Sequence, residues 1–298
     1  MIGLGRMGAN MAERLVRGGH KVACFDRDPA AIARAVDKGG LAADSLEKLV
    51  RIIAPPRIVW MMVPAGDPVD QTINSLLPYL KPGDIIIDGG NSNYKETMRR
   101  AKKIQSKEMY YIDVGTSGGI WGLKEGYSLM IGGDEKIVKK LHSIFETLAP
   151  AADRGWGYVG PSGAGHFVKM IHNGIEYGMM QALAEGFAII EAKKEFAVEP
   201  ARVAEIWRFG SVVRSWLLDL TADALEHNPK LDGIAPFVED SGEGRWTASE
   251  AIDLNVPAPI ITTSLLQRIQ SRDRESFSDK LLAAMRHEFG GHEIKKEA

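Results

Sequence analysis

Lys169, His172, Asn173, Glu176 and Tyr177 fall at offsets 0, 3, 4, 7 and 8 within the stretch Gly165–Tyr177. If that stretch is helical, the spacing puts all five on one face. The face then offers an amine as a proton acceptor, a carboxyl group as a proton donor, and imidazole, amide and phenol groups to hold a polar ligand. Phe167, Met170, Ile171 and Ile175 lie off that face and pack elsewhere. A solvated helix face with a Lys–Glu ion pair is the simpler alternative. Two aromatic polar residues, an amide, and glycines at 174 and 178 favour close packing against something instead.

Three further stretches have the residue types of binding loops. Gly3-Leu4-Gly5-Arg6-Met7-Gly8 matches G-x-G-x-x-G, in which glycines allow a tight turn and close backbone approach to a pyrophosphate at a helix N-terminus. The pattern alone is weak, but a second strand follows it and ends at Asp26, 18 residues after Gly8. Asp26 suits the ribose hydroxyls and repels a 2′-phosphate, which favours NAD. The adjacent Arg27 can stack on adenine or hold a phosphate, which keeps NADP open. The cofactor set is Gly3, Gly5, Arg6, Met7, Gly8, Asp26, Arg27, Val63 and Asn91. The other two stretches, Asp88–Tyr94 and Asp113–Gly119, each follow a strand end, where ligands of open α/β sheets gather. A plain glycine turn is the alternative for both.

The elements that must position these residues read as two blocks. Short apolar runs at Met1–Leu4, Lys21–Asp26, Ile58–Val63, Asp84–Asp88, Met109–Val114 and Tyr127–Ile131 are strand candidates. Gly3 lies two residues into the chain, so the first of these has little length. Helical spacing of Met11 and Leu15 fills Met7–Gly18, and strands separated by helices imply a parallel sheet covered on both faces. The later strands have shorter connections and are free to pair in mixed directions. Trp156–Gly165 reads as a loop, after which the chain is mostly helical, beginning with a long helix from about Gly165 to Lys194. The expectation is an α/β Rossmann-type dinucleotide-binding domain over 1–160, followed by an all-α C-terminal domain over 161–298. The polar end, Glu293–Ala298, reads as a mobile tail.

Composition narrows the partners. The 298 residues carry 37 Lys and Arg against 39 Asp and Glu, a balance that gives no support to nucleic-acid or anionic-membrane binding. Cys24 is the single cysteine, which rules out an intrachain disulfide and a cysteine zinc cage, and its apolar neighbours mark it as core. No apolar run reaches the ~18 residues of a membrane span, and no signal core follows the start. A soluble cytoplasmic protein is expected, with no metal site.

Taken in order, these stretches resemble the 6-phosphogluconate dehydrogenase family along the whole chain. The most specific match is Lys169–Tyr177, K-M-I-H-N-G-I-E-Y, supported by I-I-D-G-G-N-S-N-Y over Ile86–Tyr94 and S-G-G at Ser117–Gly119. The length is similar to the short branch; longer members carry a second copy of the helical unit. The resemblance implies oxidation and decarboxylation of 6-phosphogluconate to ribulose 5-phosphate with reduction of NAD or NADP. It implies Lys169 as general base at the 3-hydroxyl and Glu176 as the acid that protonates carbon 1 of the enediol. Asn173 and His172 would surround the reacting carbon. Asn91, Ser117, Gly118 and Gly119 would be substrate contacts, and Tyr177 and Arg268 phosphate contacts. Arg286–His292 resembles the family's R-x-x-F-G-x-H tail, which implies a homodimer in which Arg286 and His292 reach the partner's site. Where longer members have a phosphate-binding lysine and threonine, this chain has Ser241 and Glu243.

The chemistry needs no metal. A buried lysine accepts a proton near neutral pH, and its cation then stabilises the enolate formed as carbon dioxide leaves. Two other readings remain. A β-hydroxyacid dehydrogenase of the 3-hydroxyisobutyrate type shares the glycine motif, the S-G-G turn and the lysine, but lacks His-Asn-Gly-Ile-Glu-Tyr and the tail arginine. A non-catalytic dinucleotide-binding protein would have no need of Lys169 and Glu176 on one face.

Overall fold

The computed structural model describes residues 1–273 and 275–295. By its contacts the chain forms two units, Met1–Asn173 and the residues from Gly174 on.

The first unit alternates helices and strands. In chain order these are α1 (Arg6–Arg17), β1 (Ala23–Cys24), α2 (Pro29–Asp37), β2 (Leu41–Ala42), α3 (Leu46–Ile52), β3 (Ile58–Met61), α4 (Asp67–Leu76), β4 (Ile85–Asp88), α5 (Tyr94–Gln105), β5 (Tyr110–Ser117), α6 (Gly122–Glu125), β6 (Ser128–Gly132), α7 (Glu135–Lys140), α8 (His142–Leu148) and β7 (Trp156–Gly160). Strands β3, β4 and β5 are parallel neighbours, β5 pairs antiparallel with β6, and β6 parallel with β7. Strands β1 and β2 form a separate parallel ladder. Ile2 bridges Phe25 on one side and Met61 on the other, which joins the two ladders.

Successive strand residues face opposite layers, and both are covered. Ile85, Ile87, Ile112 and Val114 pack with Met11 and Leu15 of α1 and Phe145 of α8. Ile86 and Tyr111 pack on the other face with Val69 and Ile73 of α4 and Ile104 of α5. Each aliphatic side chain removed from water in this way contributes about 1.5–3 kcal/mol. Cys24 is wholly buried.

Four details differ from the sequence reading. Met1–Leu4 contributes one bridging residue rather than a strand. The Lys21–Asp26 run is a strand only at Ala23–Cys24, with Phe25 as an isolated bridge to Ile2. Leu41–Ala42 adds a strand too short to show periodicity. Trp156–Gly160, expected as loop, is a strand at the sheet edge, where glycines and half-exposed aromatics cost little because one side has no neighbour.

Helix α9 (Ala164–Ala192) follows, 29 residues long. The second unit continues with α10 (Pro200–Trp207), α11 (Trp216–His227), α12 (Glu243–Asp253), α13 (Pro259–Gln270) and α14 (Phe277–Gly290). Phe187, Ala204, Leu218, Ala222 and Leu225 form its small core. Glu293–Lys295 are exposed and lack regular structure; Lys296–Ala298 of the expected tail lie outside the described residues. Among the described residues no helix is long and apolar enough to cross a membrane.

Candidate active site

A cleft of about 930 Å³ opens beside the glycine motif, and Gly3, Gly5, Arg6, Met7, Gly8, Asp26, Arg27, Val63 and Asn91 all line it. The three glycines do different things. Gly3 has φ +86°, and a Cβ there would sit 2.3 Å from the Met62 carbonyl oxygen. A Cβ on Gly8 would lie 2.0 Å from the Gly3 carbonyl oxygen. Both glycines therefore serve close packing of helix, turn and strand. A Cβ on Gly5 would meet nothing within 4 Å and would project into open space. That is the arrangement a pyrophosphate requires at the start of α1, so the residues present fit a dinucleotide.

Asp26 braces this loop. Its Oδ2 accepts from the Leu4 amide at 2.6 Å and its Oδ1 from the Asp28 amide at 2.9 Å. Each oxygen keeps a lone pair for a ribose hydroxyl. The sequence reading did not anticipate that Pro68, Gln71, Thr72 and Ser75 of α4 would form another wall of the cleft. They recur at helical spacing, but nothing in their types marks a ligand.

Asn91, at φ 54°, sits just past the end of β4. Its Nδ2 donates to the Thr116 carbonyl at 3.1 Å, and its Oδ1 accepts from the Thr116 amide at 2.9 Å. Strand β5 runs on for Val114–Ser117 after its pairing with β4 has ended at Asp113, and the Asn91 amide satisfies the edge that this leaves. Nearby, the buried Asp88 carboxylate accepts from the Gly90 amide at 3.1 Å, Ser92 Oγ at 2.8 Å and the Tyr111 hydroxyl at 2.8 Å. Three donors offset the several kcal/mol that a bare buried carboxylate would cost. Burial, and then the Asp88 charge, push the Tyr111 hydroxyl well above its ordinary range. It remains a neutral donor.

On the same strand, a Cβ on Gly115 would lie 2.4 Å from the Lys169 Cβ. The missing side chain lets α9 rest directly on β5, two residues before Ser117. Lys169 is only 5% exposed. Its Nζ lies 3.3 Å from His172 Nδ1, which lies 3.1 Å from Asn173 Oδ1. Ser117 and Gly118 are half-buried and Gly119 is exposed, at the turn that follows.

In the second unit the structure brings Tyr177, Arg268 and Ser241 together. The Arg268 guanidinium stacks 3.6 Å from the Tyr177 ring centroid, and its Nη1 donates to the Glu239 carbonyl at 2.8 Å. The Tyr177 hydroxyl meets Ser241 Oγ at 3.2 Å, and Ser241 Oγ in turn donates to Glu243. Gly244 allows this, since a Cβ there would lie 2.3 Å from the Tyr177 ring. Glu176 is half-buried one residue before Tyr177. Arg286 and His292 are exposed, and α14 contributes no buried residue. Among the described residues Arg286 makes no hydrogen bond or ion pair. No group of three or more His, Cys, Asp or Glu is placed to hold a metal ion among the described residues.

A mostly parallel sheet with an open glycine cleft, followed by a helical unit, defines a Rossmann-type dinucleotide-binding protein with an all-α C-terminal domain. Two family models divide the chain between them. Residues 1–160 match the NAD binding domain of 6-phosphogluconate dehydrogenase, and residues 165–297 match the 6-phosphogluconate dehydrogenase C-terminal domain. The chain belongs to the 6-phosphogluconate dehydrogenase family. It is 41% identical to an NAD(+)-dependent, decarboxylating 6-phosphogluconate dehydrogenase of Haloferax volcanii, over 100% of this chain and 98% of that one. A putative 6-phosphogluconate dehydrogenase of Bacillus subtilis is also 41% identical, over 100% and 99%. A solved 6-phosphogluconate dehydrogenase of Plasmodium falciparum superposes with a TM-score of 0.83 at 30% identity, over 99% of this chain and 65% of that one. A 3-hydroxyisobutyrate dehydrogenase of Mycobacterium tuberculosis, at 22% identity and a TM-score of 0.71, shares the fold.

Proposed function

We propose that this chain oxidises and decarboxylates 6-phosphogluconate to ribulose 5-phosphate, with NAD as the preferred acceptor and NADP as a poorer one. The observation that carries this reading is Lys169, buried against β5 at Gly115 with its amine beside His172. The names of the full-length relatives support the substrate.

Bound in the cleft, the nicotinamide supplies the acceptor for hydride leaving carbon 3. In its neutral form the Lys169 amine accepts the proton of the 3-hydroxyl. Oxidation places a carbonyl β to the carboxylate. The Lys169 ammonium then donates a hydrogen bond to that carbonyl and stabilises the enolate as the bond to the carboxylate breaks. Glu176 delivers the proton to carbon 1 of the enediol, and ketonisation gives the product. Asn91, Ser117, Gly118, Gly119 and Asn173 contact the sugar acid, and Tyr177 and Arg268 its phosphate. The direct test is NADH formation with 6-phosphogluconate, with 3-hydroxyisobutyrate and with neither. Turnover of 3-hydroxyisobutyrate alone would move the chain to the hydroxyacid reading.

The preference for NAD rests on Asp26 at the cleft rim. Asp26→Ser removes the charge that repels a 2′-phosphate while Arg27 stays to attract it. The ratio of kcat/KM values should shift toward NADP by about tenfold or more, roughly 1.4 kcal/mol. An unmodified protein that already prefers NADP would give the deciding role to Arg27.

The working form is a homodimer whose tail completes the partner's site. Helix α14 supports this, because Phe277, Leu281, Leu282, Met285 and Phe289 are all exposed on it. Arg286 then supplies a permanently charged fork for the phosphate. Mixing two inactive variants, Lys169→Met and Arg286→Ala, should restore part of the activity once subunits exchange. In a mixed dimer one site carries both defects and the other carries neither. Demonstrated exchange without recovery would mean that each subunit builds its own site.

A further inference from the structure

The start of α9 is tied down by residues far away in the chain. The Gly163 and His166 amides donate to Oδ1 and Oδ2 of Asp113, at 2.8 and 3.0 Å, from a carboxylate that is wholly buried inside β5. Its negative charge faces the positive end of the helix. Gly132 of β6 makes room for it, since a Cβ there would lie 2.7 Å from both carboxylate oxygens. The His166 ring, 1% exposed, ties the same turn to two further elements. Its Nε2 lies 3.1 Å from the Asp88 carbonyl, which can only accept, so Nε2 carries the proton. Its Nδ1 lies 2.7 Å from Thr97 Oγ1 on α5.

Lys169 comes three residues after His166, on the next turn, with its Cβ against Gly115. Asp113 and Gly115 lie on the same side of β5, because strand residues two apart share a face. One side of one strand therefore holds the helix amides and receives the lysine stem. We propose that Asp113 and His166 are positioning residues that fix the Lys169 amine, by holding the first turn of α9 at one height and one rotation over β4, β5 and α5. This rests on Lys169 being the base. Asp113 touches no reacting atom in this role. Its effect travels through the helix, and a displacement near 1 Å can cost on the order of a hundredfold in rate.

The buried Asp84 provides the comparison. It accepts from the Arg57 and Lys81 amides, both at 2.8 Å, at the other end of β4. The test uses full-length Asp113→Asn, Asp84→Asn, Thr97→Val, Thr97→Ser and Lys169→Met. Each is measured for melting temperature, NAD affinity, and kcat and KM with 6-phosphogluconate. Asp113→Asn turns one acceptor into a donor facing an N–H. Its kcat should fall about 10- to 100-fold, with NAD affinity and KM held. Asp84→Asn should lose melting temperature and keep kcat. Thr97→Val, which removes the hydroxyl and keeps the volume, should lower kcat, and Thr97→Ser should restore it. If Asp113→Asn does not fold, the Thr97 pair decides. A wild-type kcat in Thr97→Val would then overturn the proposal. If Asp113→Asn folds, a kcat matching Asp84→Asn, or a rise in KM alone, overturns it while an inactive Lys169→Met leaves the base assignment standing. An active Lys169→Met overturns both.

Discussion

Lys169→Met is expected to lower turnover by roughly 10²–10⁴, the usual range for a removed acid–base group, while NAD still binds. Methionine matches the lysine stem in length, so contact with Gly115 survives and the change is confined to the amine. In the proposed mechanism two steps lose support at once, because there the same group takes the hydroxyl proton and then stabilises the enolate. The glycine cleft is built from Ile2 to Asn91 and includes no atom of Lys169, so its affinity should hold. Steady-state NADH formation and titration with NAD check the two halves. Turnover close to the unmodified enzyme would sink the mechanism.

Gly5→Leu is expected to leave the fold intact and weaken NAD binding by at least about a hundredfold, roughly 2.8 kcal/mol. Gly5 has φ −63° and ψ −175°, a conformation open to any residue. Its Cβ would touch nothing in the protein, so the melting temperature should barely move. The new side chain would instead fill the space where the pyrophosphate approaches α1. Gly8→Ala makes the contrast, since its Cβ would run into the Gly3 carbonyl and cost stability as well. Calorimetric binding and thermal melting separate the two. Retained NAD affinity in folded Gly5→Leu would show that the dinucleotide does not use this turn.

Local features were legible from the residues alone. Gly3–Gly8 ends in a helix because Met11 and Leu15 repeat at its period, and Lys169–Tyr177 declares a face by spacing. The aliphatic runs of β3, β4 and β5 announce strands buried on both sides. The misses have a common cause. β7 is glycine-rich and edge-placed, so its strand character comes from pairing with β6 rather than from its own residues. Asp113 has the residue type and position of a ligand loop, but it lies within β5, and its partners, Gly163 and His166, stand about 50 residues away, beyond any periodicity. Asn91 lines the cleft, and what its type and position could not announce is the pairing of its amide with Thr116, which depends on β5 outrunning β4.

That overrun has a consequence for the time domain. The Thr116 amide hydrogen is buried and held by a side chain rather than by a neighbouring strand. It can exchange with solvent only when the loop carrying Asn91 lifts away. Deuterium uptake at this single amide therefore clocks the opening of the 89–93 segment, separately from global unfolding, which the amides of β4 and β5 report.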